Sequence, residues 1–334
     1  MTDSAATPSR SESGTRPTVV VFDPVPGPST WGPEAAIFGN RGVELIIPED
    51  AAEADEAIRT ADAVIVTGYG RLDAGRVASL ERAVGILCYS IGMDKVDGPA
   101  ATAAGIPVRN VPDYCTDEVS DHALALLLAA QRRILPFATA TAAGGWPNGD
   151  RAITGSLRRL RGQTLGIAGA GRIGRLVAAK ARAFGFRTVA YDPMITAAVD
   201  PDLPLIGAEE LFGTSDAIVV CAAYTPGSPP LITREALARV KPGLILVNIS
   251  RGGHVDEHAL AEALRDGRVA VAALDVRTVE PPDPADDPLS GLPNVVLTPH
   301  VAGSSREAVE DLHRLAAEYV LDLLEAGGRI SVAA

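Results

Sequence analysis

The most informative segment of this chain is Thr164-Leu-Gly-Ile-Ala-Gly-Ala-Gly-Arg-Ile-Gly174. It carries the spacing G-x-G-x-x-G at Gly169, Gly171 and Gly174, after an apolar run and before the helix-forming residues 175–184. In a dinucleotide-binding turn the first glycine permits a tight bend, the second lets a pyrophosphate approach the backbone, and the third lets the helix pack against the strand. The stretch therefore predicts a strand, a phosphate-binding turn and a helix.

Asp192 lies 18 residues beyond Gly174, at the end of the next apolar run. A carboxylate at this place can accept hydrogen bonds from an adenosine ribose and would repel a 2′-phosphate. Pro193 and Met194 offer no positive charge to replace it. The sequence therefore favours NAD over NADP, and the strand and helix around the glycines argue against a turn that binds nothing.

Strand-like apolar runs alternate with helical patterns on both sides of this fingerprint. The first series comprises residues 18–22, 43–47, 63–67, 85–89 and 106–109. The second series comprises residues 164–168, 188–191, 217–221, 244–248, 270–274 and 295–297. Short continuous apolar strands between helices are typical of parallel sheets covered on both faces. We predict an α/β protein with two Rossmann-like domains, one flavodoxin-like and one dinucleotide-binding.

A longer helix is predicted over residues 116–134, because its apolar positions fall on one face. Thr116 is the expected N-cap, and Asp117 and Glu118 suit the positive end of the helix dipole. This helix can carry the chain from the first domain to the second. The last predicted helix, over residues 305–326, can return it to the first domain.

Composition and charge limit the classes of partner. The chain of 334 residues has 30 basic and 42 acidic side chains, a formal net charge of −12, which argues against nucleic acid and anionic membrane surfaces. No apolar run reaches the roughly 18 residues that a membrane-spanning helix needs. Residues 1–17 lack the apolar core of a secretory signal and are expected to form a disordered tail. Three widely spaced cysteines form neither a disulfide framework nor a metal cluster, so we expect a cytoplasmic protein without a metal.

Three further segments carry chemistry at the ends of predicted strands. Arg251 follows one strand, Asp275 and Glu280 follow the next, and His300 follows the last. In open α/β sheets the carboxyl ends of the strands face the ligand crevice. An arginine can clamp a carboxylate, a histidine can move a proton near neutral pH, and a neighbouring carboxylate stabilises the protonated imidazole. With a nicotinamide, these groups suffice to interconvert a 2-hydroxy acid and a 2-oxo acid.

Six segments in this order resemble the D-isomer-specific 2-hydroxyacid dehydrogenase family, from about Asp62 to Leu324. They are Ser90-Ile-Gly-Met-Asp94, Asn110-Val-Pro112, Gly169-Ala-Gly-Arg-Ile-Gly174, Asn248-Ile-Ser-Arg-Gly252, Leu274-Asp-Val276 with Glu280-Pro281, and Thr298-Pro-His300. The pattern is closest to the branch of the C-terminal binding protein corepressors and the phosphoglycerate dehydrogenase-like enzymes.

The resemblance implies roles for the matched positions. Arg251 would bind the substrate, Glu280 would be the carboxylate partner, His300 the acid and base, and Asp275 the partner of the nicotinamide carboxamide. The implied cofactor lining is Gly169, Gly171, Arg172, Ile173, Gly174, Asp192, Ala222, Ala223, Thr225, Ile249, Ser250, Asp275 and Gly303. The implied substrate contacts are Tyr69, Ile91, Gly92, Arg251 and His300.

The resemblance also implies a domain layout. Residues 18–112 and 302–334 would form the substrate domain, and residues 113–301 the NAD-binding domain, with a cleft between them and a homodimer formed through the NAD-binding domain. No appended amino-acid-sensing domain is expected after the last helix. One departure lies at Val220-Cys-Ala-Ala-Tyr-Thr225, where many members read Leu-His-Val-Pro-Leu-Thr, so the cofactor lining there is open.

Two alternatives to a D-2-hydroxyacid dehydrogenase remain open. The corepressor branch suggests an NADH-sensing interaction protein, although the Arg, Glu and His set favours an enzyme. A phosphite or phosphonate dehydrogenase could use the same set, and a cationic pocket in the first domain would favour it. The arginines that could form such a pocket are Arg71, Arg76, Arg82 and Arg109.

The other histidines and one cysteine receive structural interpretations. His122 is interpreted as an interdomain or surface contact. His254, His258 and His313 are interpreted as solvated side chains of helices or loops. Cys88 is expected in the core of a strand.

Overall fold

The computed structural model describes residues 16–22, 31–68, 70–154, 157–195 and 200–331. The chain divides into two compact units. Unit 1 comprises Met1–Tyr114 and Glu310–Ala334, and unit 2 comprises Cys115–Val309. Each unit contains one parallel sheet with helices, so the predicted α/β class with two parallel sheets is confirmed.

Unit 1 is built on five parallel strands in the order β2-β1-β3-β4-β5, the flavodoxin-like order. Its strands are β1 (Thr18–Phe22), β2 (Glu44–Ile46), β3 (Ala63–Val66), β4 (Ile86–Cys88) and β5 (Val108–Asn110). Its helices are α1 (Gly32–Asn40), α2 (Ala51–Thr60), α3 (Ala74–Ala78) and α4 (Gly98–Ala103), joined by most of α12 (Arg306–Ala326). The strands are almost fully buried at β1, β3 and β4, which explains their continuous apolar runs, and Cys88 lies in this core as expected.

Unit 2 is built on six parallel strands in the order β11-β10-β9-β8-β6-β7. Its strands are β6 (Thr164–Ala168), β7 (Arg187–Tyr191), β8 (Ala217–Val220), β9 (Leu244–Asn248), β10 (Val269–Leu274) and β11 (Val295–Leu297). Its helices are α5 (Thr116–Gln131), α6 (Ile134–Ala142), α7 (Arg151–Thr154), α8 (Arg172–Ala183), α9 (Ala208–Thr214), α10 (Arg234–Arg239) and α11 (Glu257–Arg265). The chain passes from β7 on one side of β6 to β8 on the other. The carboxyl ends of β6 and β8 therefore flank the switch point where α/β sheets bind ligands.

The predicted helix over residues 116–134 is interrupted. It ends at Gln131, and a second helix begins at Ile134 after Arg133 takes a left-handed conformation with φ of 53°. Pro136 explains the break, because its ring would clash with the carbonyl four residues earlier and it has no N–H to donate. Asp117 and Glu118 lie in the first turn as predicted.

Thr116 is not the N-cap of this helix. The cap position is Cys115, no side chain caps the helix there, and the buried Thr116 hydroxyl has no hydrogen-bond partner among the described residues. The capping prediction was wrong because the helix begins one residue earlier in the chain than a threonine cap requires.

The boundaries of the two units differ slightly from the layout that the resemblance implies. The first lies two residues later, and the second lies at Val309 rather than at residue 301. The second difference has a physical reason, because Ala302 donates its amide hydrogen to Asp275 and Ser305 donates to Glu118, both in unit 2.

Within the described ranges, no single helix is long and apolar enough to cross a membrane. Only α5 and α6 reach that length together, and they meet at an angle of 67°. The apolar side chains of α5 are instead buried in unit 2, where the helix packs on β9, β10 and α8.

Candidate functional site

The glycine turn after β6 has the conformation that its spacing predicts. Gly169 has a φ of 109°, a region that side chains with a Cβ rarely adopt, and a Cβ there would overlap the backbone of Ala222 after β8. A Cβ at Gly174 would overlap the carbonyl oxygen of Gly169. The three-glycine pattern therefore brings the β6 turn against the end of β8 and packs α8 closely on the turn.

The N-terminus of α8 is open to an anion. Gly171 occupies the cap position, no side chain caps the helix, and a Cβ at Gly171 would meet no atom within 4 Å. The first amides of a helix lack partners inside the helix and carry partial positive charge. A pyrophosphate could approach the backbone here, so the turn fits a dinucleotide.

Asp192 follows β7 directly, as predicted. Its two carboxylate oxygens accept hydrogen bonds from Ala170 N at 2.8 Å and Met194 N at 2.9 Å. The carboxylate is thereby fixed beside the glycine turn, where an adenosine ribose would lie if a dinucleotide occupied it.

The segment after β8 is held by the segment after β9. The carbonyl oxygen of Ala222 accepts hydrogen bonds from the Ser250 hydroxyl and from His254 Nε2, the latter at 3.1 Å. His254 is buried and meets the Tyr224 ring edge-on, so its interpretation as a solvated residue was wrong. Burial lowers the pKa of His254 and favours the neutral imidazole, which can donate this hydrogen bond.

The remaining residues of the implied cofactor lining follow β6, β8, β9 and β11 in the chain. Those with exposed side chains are Arg172, Ala223 and Thr225. Those that are half-buried are Ile173 and Gly303, whereas Ile249 is buried.

Arg251 lies immediately after Ser250, in an extended conformation at the end of the β9 segment. Asn248 fixes the turn by donating to the Arg251 carbonyl at 2.9 Å, and Arg251 donates from its guanidinium to the Ser250 carbonyl at 2.8 Å. The next residue must be small, because a Cβ at Gly252 would overlap the backbone of Arg277. The Arg251 turn therefore packs directly on the segment that leads to Glu280.

The structure joins His300 to Glu280, as the resemblance implies. His300 Nδ1 lies 2.8 Å from Glu280 Oε2, and the Arg277 amide donates to the other carboxylate oxygen at 2.8 Å. Burial raises the pKa of Glu280, but the hydrogen bonds from His300 and Arg277 and the charge of Arg251 outweigh it and hold this pKa below its usual range. Glu280 is therefore a carboxylate at neutral pH, and an imidazole that donates from Nδ1 leaves Nε2 for a substrate.

Asp275 anchors the segment that carries His300. Its side chain is fully buried, and its oxygens accept hydrogen bonds from the Thr298 hydroxyl at 2.6 Å, Val301 N at 3.0 Å and Ala302 N at 2.9 Å. His122 Nε2 lies 3.1 Å from the Thr298 hydroxyl, so this histidine also supports the anchor within unit 2. The resemblance implies that Asp275 contacts a nicotinamide carboxamide. In the structure its carboxylate is bonded by residues 298–302 of its own unit.

A buried ion-pair network holds the segment that leads to Glu280, and no sequence pattern predicted it. Arg277 contacts Glu257 at 2.9 Å and Asp287 at 2.6 Å, with all three side chains close to fully buried. Glu257 also accepts from Thr278 N at 2.9 Å. Because both ends of the Arg277 fork are held, the loop that presents Glu280 is fixed before any substrate arrives.

In unit 1 the loop after β4 carries Ile91 and Gly92. All three carbonyls of the loop have donors: Val111 N donates to Ser90 at 3.1 Å, Asn110 Nδ2 to Ile91 at 2.6 Å, and the Ser90 hydroxyl to Gly92 at 2.7 Å. Within the described part of the chain, the amides of Ile91 and Gly92 donate to no protein group. These two N–H groups are therefore available to an anionic ligand.

Tyr69, the other implied substrate contact in this unit, lies outside the described residues. Three of the four arginines considered for a cationic pocket contact carboxylates: Arg76 with Asp55, Arg82 with Asp62 and Arg109 with Asp322. This pairing gives no support to a cationic pocket. Among the residues that the structure describes, no group of three His, Cys, Asp or Glu side chains could hold a metal ion.

Known proteins are similar to this chain in sequence and in fold. A family model described as the D-isomer specific 2-hydroxyacid dehydrogenase, NAD binding domain, matches residues 124–302. D-3-phosphoglycerate dehydrogenase of Mycobacterium leprae is 40% identical over 276 residues, which are 82% of this chain and 51% of that protein, so the chain spans about half the length of this relative.

Two further matches cover most of this chain and most of the matching protein. Hydroxypyruvate reductase of Thermotoga maritima is 36% identical over 271 residues, which are 79% of this chain and 86% of that protein. The crystal structure of the TT0316 protein from Thermus thermophilus has a TM-score of 0.79 at 36% identity and covers 92% of this chain and 97% of that chain. The chain therefore belongs to the D-isomer-specific 2-hydroxyacid dehydrogenase family and contains its NAD-binding domain.

Proposed function

We propose that this protein is an NAD-dependent dehydrogenase that interconverts a D-2-hydroxy acid and a 2-oxo acid. The observation that carries the proposal is the hydrogen bond of 2.8 Å between His300 and Glu280, in the unit that also carries Arg251 and the dinucleotide turn. Unit 2 is the proposed NAD-binding domain and unit 1 the proposed substrate domain. A homodimer formed through unit 2 belongs to the same proposal.

The residues of the chain divide the work of reduction among them. Arg251 clamps the substrate carboxylate with its guanidinium and polarises the carbonyl. NAD in its reduced form, when bound, supplies the hydride for the carbonyl carbon. His300 gives a proton from Nε2 to the carbonyl oxygen and is left neutral, so one hydride and one proton convert the 2-oxo acid into the 2-hydroxy acid. Glu280 stabilises the imidazolium before transfer, and Asp275 holds the segment in which His300 lies.

The amides of Ile91 and Gly92 are the proposed second set of donors for the substrate carboxylate. Their lack of acceptors within the described chain supports this role, because backbone N–H groups rarely lack partners unless a ligand or water satisfies them. The names of the relatives suggest hydroxypyruvate or its 3-phosphate as the substrate. Of these two, the paired state of Arg76, Arg82 and Arg109 favours the uncharged side chain of hydroxypyruvate.

A panel of 2-oxo acids tests the proposed function. Consumption of NADH is measured with hydroxypyruvate, 3-phosphohydroxypyruvate, glyoxylate, pyruvate and phenylpyruvate, beside phosphite with NAD in the oxidative direction. We expect turnover of at least one 2-oxo acid, with kcat/KM highest for hydroxypyruvate. Tight NADH binding without turnover of any acid would contradict the enzyme and favour the NADH-sensing interaction protein, and oxidation of phosphite alone would favour the phosphite dehydrogenase.

A further inference from the structure

A polar triangle is buried in unit 1, and none of its members is among the residues to which the proposed chemistry is assigned. Glu34 on α1 is fully buried, and its Oε1 accepts hydrogen bonds from the Tyr89 hydroxyl and from His313 Nδ1 on α12, the latter at 2.6 Å. The Tyr89 hydroxyl and His313 Nδ1 are 2.8 Å apart. Three separate elements therefore meet at one carboxylate oxygen. The interpretation of His313 as a solvated side chain was therefore wrong, because its Nδ1 contacts Glu34 and Tyr89.

The Tyr89 phenol supplies one hydrogen to the triangle. Burial, together with the hydrogen bond to Glu34, raises the pKa of Tyr89, so the phenol keeps its proton and donates it to Glu34. His313 Nδ1 lies within hydrogen-bond distance of both Glu34 Oε1 and the phenol oxygen. The three side chains are therefore linked to one another through a single carboxyl oxygen.

The surroundings make this cluster costly to bury. The Trp31 ring packs on the Tyr89 ring with centroids 4.8 Å apart. Within the described chain, Trp31 Nε1 and Glu34 Oε2 are buried without a hydrogen-bond partner. A hydrophobic contact between α1, β4 and α12 would serve stability better than a carboxylate with one unpaired oxygen, so the cluster calls for a role beyond packing.

The neighbour of Tyr89 in the chain suggests that role. Ser90 follows it directly and begins the loop whose amides at Ile91 and Gly92 have no acceptors among the described residues. The Tyr89 amide donates to Val66 on β3 at 2.8 Å, which fixes the backbone, and the triangle fixes the side chain. Tyr89, directly before the loop, is therefore held through both its backbone amide and its side-chain hydroxyl.

We propose that Glu34, Tyr89 and His313 are positioning residues that hold the Ser90–Gly92 backbone in place for the carboxylate of a 2-oxo acid. The inference rests on the proposed function, because it needs the loop to bind substrate. We call these three side chains the clamp; Glu34 and His313, its farthest members, are 279 residues apart in the chain. The contribution of unit 1 to substrate affinity would depend on the clamp. The clamp acts on binding of the acid and leaves NADH binding, a property of unit 2, unchanged.

Steady-state kinetics of three variants test the clamp. Tyr89→Phe removes the hydroxyl, His313→Leu removes the Nδ1 donor, and His313→Asn keeps an amide donor near that position. The probe is hydroxypyruvate, or the acid of the panel with the highest kcat/KM. We expect Tyr89→Phe and His313→Leu to raise KM for the acid roughly tenfold, the effect of about one hydrogen bond, with kcat within about twofold of the parent. His313→Asn should restore most of the affinity.

Two controls separate the possible failures. The dissociation constant of NADH should stay near the parent value in each variant. The melting temperature is measured to show that each variant is folded, and it should fall somewhat in Tyr89→Phe and His313→Leu because the buried Glu34 loses a hydrogen-bond partner. An unchanged KM in Tyr89→Phe and His313→Leu would overturn the inference while leaving the proposed function intact. A rise in KM that is matched by weaker NADH binding, or that His313→Asn does not reverse, would show a merely structural role and overturn it as well. If the parent protein turns over no 2-oxo acid, the proposed function fails and the inference fails with it.

Discussion

His300 has a backbone conformation that is uncommon for a residue other than glycine. Its φ is 55°, in the left-handed region, and its amide donates to the Asp275 carbonyl at 2.8 Å. Such strain persists when the surroundings determine it, and it is concentrated at functional sites. Here the Asp275 carboxylate holds the following amides at Val301 and Ala302, so the imidazole is presented to Glu280 by the fold and not by its own preference.

Replacing Glu280 by Gln should change the pH dependence of reduction. The pKa of Glu280 lies below its usual range, so the carboxylate stays ionised as the pH falls and keeps its negative charge 2.8 Å from His300 Nδ1. Glutamine keeps the size and removes the charge, and reduction needs the protonated imidazole. We expect the pH at which kcat/KM for reduction falls by half to be lower in Glu280→Gln.

The control for this variant is Glu235→Gln, on the exposed first turn of α10. It should leave the pH profile of reduction where it is in the parent protein. A profile in Glu280→Gln that coincides with the parent profile would mean that Glu280 does not act on the proton of His300.

The sequence predicted Arg251, Glu280 and His300 because each follows a strand at the same edge of one sheet, and topology alone brings such residues together. It could not predict His254 or Arg277 in the same region. Their partners are a backbone carbonyl and two distant carboxylates, and nothing in the local pattern marks such contacts.

Among the helices and strands, we expect cofactor binding to depend most on the start of α8. Gly171 has a φ of −68°, which alanine can adopt, and an added Cβ would meet no protein atom within 4 Å. The Cβ would instead occupy the space through which a pyrophosphate approaches the helix amides. We expect Gly171→Ala to fold normally and to weaken NADH binding by at least about tenfold, measured by fluorescence titration.

Gly207 provides a matched control for that variant. It caps α9 in the same unit, has a φ of −70°, and also has free space around an added Cβ. Gly207→Ala should therefore bind NADH as the parent does. Parental NADH affinity in Gly171→Ala would show that the pyrophosphate does not pass over this glycine.

The helices show where prediction from a periodic pattern fails. The apolar face of residues 116–134 includes Ala130 and Ile134, so the pattern predicted one helix, but α5 ends at Gln131 before Pro136. The spacing of apolar residues indicates which face of a helix is buried. Where the helix ends depends on how its terminal backbone N–H and C=O groups find partners, which this spacing does not show.

At the scale of the whole molecule, both parallel sheets could be predicted, because each strand is a continuous apolar run and each connection is a helix. The division into two units followed from the length and from the glycine fingerprint in the middle of the chain. The Glu34, Tyr89 and His313 cluster could not be predicted. Its members are far apart in the sequence and lie in a helix start, a strand end and an amphipathic helix, where each residue is ordinary by itself.

We propose above that this protein is an enzyme in which His300 moves the proton. The most direct test is the rate of NADH consumption with hydroxypyruvate in His300→Ala, beside the parent protein and His258→Ala, an exposed histidine on α11. We expect His300→Ala to lose roughly 10²–10⁴ in kcat while binding NADH normally, and His258→Ala to match the parent. Near-parental turnover by a folded His300→Ala protein would contradict the account.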